Sequence, residues 1–130
     1  MPLVRISLLR GKSPAYHAAL SDGVYKAMRE TFNVPEGDRF ILIHEHEPGT
    51  FFVDPDYLGI PRSADVVIIQ ITCNDTRTTA QKIAFYARIA EHLEKSPGVR
   101  QEDVFINLVE VKAENWSFGR GIAQYAKPPQ

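Results

Sequence analysis

The chain has 130 residues, a formal net charge of −1 and 44% hydrophobic residues. That length fits one domain with an ordinary globular core. No block of Lys and Arg breaks the mixed charge pattern, which argues against a nucleic-acid partner, and no apolar run reaches the roughly 18 to 20 residues that cross a bilayer. Cys73 is the single cysteine, so an internal disulfide is excluded and a reducing compartment fits. The opening MPLVRISLLRGK is too short and too charged for the apolar centre of a signal peptide, and a cytoplasmic location is expected.

In chain order, LVRISLL alternates apolar and polar positions before Gly11, the period of a half-buried strand. Ser13-Pro14 then supplies an N-cap and a first-turn proline for a helix whose Leu20, Val24, Ala27 and Met28 recur at spacings of three and four. RFILIHEHE reads as the next strand. EPGTFFVDPDYLGIPRSAD is a long connection rich in Pro, Gly and Asp, of the kind that is functional or packs on a neighbour. VVIIQITC is so uniformly apolar and β-branched that coverage on both faces is expected. Thr76 to Thr78 cap a second helix carrying Phe85, Ile89 and Leu93, which ends near Ser96-Pro97-Gly98. VFINLVEVK forms a last strand, and the tail NWSFGRGIAQYAKPPQ is irregular, with Gly119 and Gly121 as turn signals and an end, Lys127 to Gln130, that reads as disordered.

A shift of 65 positions aligns the two halves without a gap. Ile6 falls on Ile71, Lys12 on Arg77, Ser13 on Thr78, Val34 on Val99, Asp38 on Asp103, Phe40 on Phe105, Ile41 on Ile106 and Glu45 on Glu110. Two β-α-β units, over about residues 2–47 and 67–112, are therefore expected within one domain spanning 1–130. Each unit implies parallel pairing with a right-handed crossover. The fold class is α/β, a four-stranded sheet with two helices on one face; with strands one and three side by side at its centre, the start of the second helix would lie toward Pro2. The other face lacks a cover within the chain, so an oligomer built around sheet faces is expected.

A duplicated β-α-β unit headed by Met1-Pro2-Leu3-Val4 resembles the tautomerase superfamily over nearly the whole chain. Gly37-Asp38-Arg39-Phe40 leading into ILIHEHE, the Thr76-Arg77-Thr78 helix start and INLVEVKAENWSFGRG carry the resemblance further. HEHE after an Asp-Arg-aromatic triplet and the later Trp-Ser-Phe-Gly are most similar to the malonate semialdehyde decarboxylase group. The resemblance implies a homotrimer with pockets near subunit boundaries, no metal or organic cofactor, and a small carboxylate as substrate. The chain departs from that group at Asp75, where the group has a second arginine; this weighs on decarboxylation more than on keto–enol tautomerisation.

Removal of Met1 would leave Pro2 as a secondary amine, and an α-amino group titrates near neutrality, so its nitrogen can serve as general base or acid. By position alone Pro2 is a strand-edge proline; the repeat and the other motifs favour catalysis. Arg77 offers a fork of donors that matches a carboxylate, at a helix N-terminus that adds positive potential, and it matches the family's catalytic arginine; otherwise it is a solvated surface residue. Asp38, a turn residue by composition, corresponds to the family's carboxylate beside the proline, whereas Asp103 is read as a turn residue only. Asn107 interrupts an apolar strand and needs partners; it matches a pocket asparagine of the macrophage migration inhibitory factor branch. Trp116 and Phe118 resemble an aromatic pocket wall or are plain packing. His44 and His46 share one strand face, but His17 and His92 lie on helices and no cysteine cluster completes a metal site. Cys73 reads as a buried core thiol.

Together these residues favour an amino-terminal-proline enzyme that tautomerises a small 2-keto acid, with Pro2, Asp38 and Arg77 catalytic and Asn107, Trp116 and Phe118 binding substrate. A lyase or hydratase like malonate semialdehyde decarboxylase, and a non-catalytic trimeric binding protein, are the alternatives.

Overall fold

The structure is a computed structural model and describes residues 2–127. Pro128 to Gln130, most of the end that reads as disordered, lie outside the described residues. Strand β1 (Leu3–Leu9), helix α1 (Pro14–Phe32), strands β2 (Ile41–His46) and β3 (Val67–Asn74), helix α2 (Thr79–Lys95) and strand β4 (Val104–Val111) follow one another. The sheet order is β2-β1-β3-β4. β1 is parallel to β2 and β3 to β4, while the two central strands, β1 and β3, run antiparallel. The first and third strands thus lie side by side at the centre, the condition under which the start of α2 lies toward Pro2.

The offset of 65 runs through the hydrogen-bonded register as well. Val4 pairs with Ile41 and Ile69 with Ile106; Ile6 pairs with Ile43 and Ile71 with Leu108. Across the central pair, Leu3 faces Thr72 and Ser7 faces Ile68, with Arg5 opposite Gln70 between them. A quasi-twofold axis thus passes through the Arg5–Gln70 pair.

Both helices pack on the same sheet face. Val4, Ile6, Ile69 and Ile71 are fully buried against Leu20, Val24 and Met28 of α1 and Phe85, Ile89 and Leu93 of α2, and each such side chain contributes about 1.5–3 kcal/mol by leaving water. Gly23 permits the close approach of the helices, since a Cβ there would stand 2.7 Å from Cδ2 of Leu93. β3 shows the sheet face that has no cover within the chain. Its Val67, Ile69, Ile71 and Cys73 are buried, but Gln70 is exposed and Ile68 and Thr72 are half-buried, so one face of this strand is open within the chain. Leu42, Phe105 and Val109 are exposed large apolar residues on the same open face.

Local chemistry fixes the helix ends. The Ser13 hydroxyl accepts the Tyr16 N–H at 3.1 Å, and Pro14 opens α1. α2 starts with a reciprocal capping box: Thr78 Oγ1 accepts the Gln81 N–H at 3.1 Å, and Gln81 Oε1 accepts the Thr78 N–H at 2.9 Å. The same segment serves α1, whose last carbonyls have no partner within the helix. Gln81 Nε2 donates to Thr31 O at 3.3 Å and Arg77 donates to Phe32 O at 3.2 Å. Thr78→Ala is therefore expected to lower stability by about 1 kcal/mol in urea unfolding, with an unchanged denaturant slope.

Candidate active site

Because β1 and β3 are antiparallel, the head of β1 lies beside the end of β3, and the parallel pairings bring the head of β2 and the end of β4 to the same edge of the sheet. Pro2 precedes β1 and is buried. The Val4 N–H donates to Phe40 O at 2.9 Å, which ties the start of β1 to the segment carrying Asp38. Four chain segments thus converge on one corner.

A cavity of about 260 Å³ opens there, lined by Pro2, Leu3, Phe40, Trp116, Ser117 and Phe118. The Trp116 and Phe118 rings stack with centroids 5.4 Å apart and planes 20° from parallel, and Tyr125 packs edge-on against Phe118 at 4.8 Å. The indole N–H of Trp116 donates to Asn74 Oδ1 at 2.7 Å, so the last residue of β3 fixes the wall. Gln124 accepts the Phe118 N–H at 3.0 Å and donates to Gly119 O at 3.1 Å, folding the tail back on itself. The reversal needs left-handed backbone, and Gly119 and Gly121 supply it at φ of 144° and 67°.

Asp38 is 8% exposed, and among the described residues its Oδ1 has no hydrogen-bond partner. Burial pushes its carboxyl above the ordinary value of 3.8, and the positive charges of the amino terminus and of Arg77 only partly offset this. Its repeat partner behaves in the opposite way. Asp103, 1% exposed, accepts the Ser63 N–H at 2.7 Å, the Ser63 hydroxyl at 2.6 Å and Arg100 Nε at 3.3 Å. It is a satisfied structural carboxylate that fastens the long connection to the head of β4.

Arg77 is half-buried just ahead of the α2 cap, and besides Phe32 O it lies 5.0 Å from the centroid of the Phe32 ring. One of its five N–H donors is engaged by Phe32, and its charge is felt by both Asp38 and Cys73. Burial raises the Cys73 thiol above its ordinary value, as befits a core residue. Asn107 lies elsewhere. It pairs with Gln70 in the middle of the sheet, accepts its amide N–H at 3.1 Å on the open face, and is not among the residues lining the cavity of its own chain.

The fold thus gathers Pro2, Trp116 and Phe118 around one space; Asp38 stands two residues before the lining Phe40, Arg77 acts on Asp38 by charge, neither lines the cavity itself, and Asn107 lies apart. Phe40, Asn74 and Tyr125 are the neighbours that sequence reasoning passed over. Phe40 carried a signal, an aromatic residue directly before a strand and next to Asp38, whereas the Asn74–Trp116 bond joins positions that only the folded chain brings together.

The two aspartates predict opposite responses to amide substitution. Asp103→Asn removes a buried, hydrogen-bonded charge and should lower stability by about 2 kcal/mol. Asp38→Asn removes a carboxylate whose ionisation burial opposes. A raised folded-state value means the native state binds more protons than the unfolded chain, so stability falls as pH rises from 3.8 to the folded value. Denaturant unfolding as a function of pH should therefore show Asp38→Asn gaining on the parent over that window and keeping its advantage above it.

Two family profiles described as tautomerase enzyme match the chain, one over residues 38–119 and one over residues 2–60. The probable tautomerase YusQ of Bacillus subtilis (strain 168) is 44% identical over 124 residues, covering 95% of this chain and 98% of the relative. A malonate semialdehyde decarboxylase, solved as wild type, mutant and inactivated enzyme, superposes with a TM-score of 0.89 at 34% identity, with 95% of each chain covered. The FG41 malonate semialdehyde decarboxylase inhibited by 3-bromopropiolate gives 0.88 at 37% identity, over 95% of this chain and 93% of that one. With a family profile over residues 38–119 and a relative 44% identical along almost its whole length, the chain belongs to the tautomerase family.

Proposed function

We propose that the chain is an amino-terminal-proline enzyme that interconverts the keto and enol forms of a small 2-keto carboxylic acid. The observation that carries this reading is the aromatic-walled cavity at Pro2, supported by the buried Asp38, two residues before the lining Phe40, and by the charge of Arg77 acting on it. Once Met1 is removed, the Pro2 nitrogen is a secondary amine at the head of β1. In the enolising direction it takes a proton from C3 of the bound acid. The C–H electron pair becomes the C2–C3 double bond, the carbonyl π pair moves onto the C2 oxygen, and a proton then closes the enol. Arg77 holds the substrate carboxylate and offsets the charge that develops on oxygen, an interaction strengthened where water is excluded. Trp116, Phe118 and Phe40 supply that dry wall. Asp38, held above its ordinary value by burial, exchanges a proton with the amine or with water beside it.

A lyase or hydratase of the malonate semialdehyde decarboxylase type is the second reading, and the kinship at 34% identity to such an enzyme favours it. In that case Pro2 stays protonated and Asp38 orients water. Asp75 weighs against it, since an exposed carboxylate two residues from Arg77 opposes a second substrate anion. The enol of phenylpyruvate tests the first reading and a 3-oxo acid the second.

Assembly follows from the open sheet face. Leu42, Phe105 and Val109 lie on it, with Phe40 at its edge 50% exposed, and an apolar surface of this kind is covered by a partner. A homotrimer that buries these faces against one another is the arrangement proposed, and it would bring Asn107 toward a neighbouring subunit. Conversion of Pro2 to Ala is expected to lower turnover of the phenylpyruvate enol by about a hundredfold or more, and a form that keeps Met1, with the nitrogen locked in an amide, should fall further. Parent turnover in both forms would leave the non-catalytic trimer as the surviving reading.

A further inference from the structure

The turn that carries Asp38 is held to α1 from both sides by one side chain. Before Asp38, the Gly37 N–H donates to the Tyr25 hydroxyl at 2.9 Å. After it, the Arg39 guanidinium stacks on the Tyr25 ring, 4.0 Å from the centroid, and donates to Asp22 at 2.6 Å and to Ser21 at 3.3 Å. Residues 21, 22 and 25 lie within about one helical turn, so they present a single surface to the loop. Between the two anchors sits Asp38, its N–H closing the turn on Pro35 O at 3.2 Å and its Oδ1 without a partner among the described residues.

A buried carboxylate with no partner gains hydration if its loop lifts, so its position has to be imposed from outside. The other half of the chain supplies the control. Sixty-five residues on from Tyr25, Asp22 and Arg39 stand Ala90, Ala87 and Val104. No clamp exists there, and none is needed, because Asp103 is held by Ser63 and Arg100. The half with the clamp has the unsatisfied carboxylate, and the half without it has the satisfied one.

We propose that Tyr25, with Arg39 stacked on its ring, is the positioning residue that holds the Asp38 carboxyl, with Oδ1 buried, in the turn leading to Phe40 at the Pro2 cavity. The proposal rests on the reading above, in which Asp38 serves the reaction. The charges that act on Asp38 are the amino terminus from the β1 side and Arg77 from the head of α2. From α1 the clamp brings Asp22, whose charge Arg39 neutralises.

Tyr25→Phe in the full chain removes the hydroxyl and keeps the stacking ring; Arg39→Lys keeps the charge and removes the planar stack. Carboxyl carbon NMR on aspartate-labelled protein, with the Asp38 signal identified by its loss in Asp38→Asn, reads the position directly. Both variants should move the Asp38 titration midpoint down toward its ordinary value. Their kcat for the phenylpyruvate enol should fall about tenfold to a hundredfold through misplacement, with KM little changed and the kcat pH profile displaced in the same direction. A midpoint that stays put in both variants overturns the clamp. So does a moved midpoint with parent kcat, when Asp38→Asn itself is impaired. If Asp38→Asn retains parent kcat, the catalytic reading of Asp38 fails while the midpoint still decides whether Tyr25 holds it.

Discussion

The antiparallel pairing of β1 with β3 at the centre of the sheet decides where chemistry can be placed. With Leu3 opposite Thr72, the head of the first strand has to meet the end of the third. Each half then adds a parallel neighbour, so the head of β2 and the end of β4 reach the same edge. Asp38, Asn74, Arg77 and Trp116 are scattered over most of the chain, yet each lies at or within five residues of a strand terminus at that corner. A parallel central pair would instead set the two strand heads side by side and carry Arg77 to the far edge from Pro2.

A duplicated architecture offers two equivalent corners, and side chains break the equivalence. The corner after β1 carries Lys12 where the corner after β3 carries Arg77, and Lys12 is committed to Asp65 at 2.7 Å. The turn before β4 spends its aspartate on Ser63, whereas in the turn before β2 Oδ1 of the aspartate has no partner among the described residues and the flanking residues are clamped. One turn is thus bound to its neighbour through the carboxylate, the other around it. Hydrogen-bonding capacity left free in a buried group is costly, and among the described residues it falls on Oδ1 of Asp38 and on Nε2 of His17 near the start of α1.

Periodicity and cap chemistry made the fold legible. The helical stripes, the Ser13-Pro14 and Thr78 starts and the alternation of LVRISLL each follow from local rules, and local rules were enough to place six elements within a few residues. β3 carries apolar β-branched residues on both faces, yet only one face is covered within the chain; along one strand the two faces read alike, and a second layer is needed to tell which is covered by what. The site was legible in its parts. Pro2, Asp38, Arg77, Trp116 and Phe118 stood out by position or by kinship, but not that Asn74 anchors the indole or that Tyr25 reaches both flanks of Asp38. Those contacts cross 42 and 12 positions respectively, and no propensity or spacing encodes them. Asn107 illustrates the converse, a polar residue in an apolar strand whose partner is the equally anomalous Gln70 directly across the ladder.

In the proposed reaction Arg77 would combine its observed contact with Phe32 with a role toward the substrate anion, and the two are physically compatible. Donation to Phe32 O fastens the start of α2 to the last carbonyls of α1, the negative end of that helix dipole. A guanidinium used only in this way would be a fastener, and a free one would spend rotamer entropy at each encounter with substrate. With one donor fixed and the Phe32 ring against the group, the remaining N–H groups are aimed in advance and the ordering cost is met on folding. The same bond anchors the end of α1, from which Asn33 to Pro35 lead directly into the Asp38 turn. In the proposed reaction, then, the group that receives the substrate anion also steadies the helix end that delivers the carboxylate, and a disturbance of α1 at Phe32 would reach both sides of the site at once.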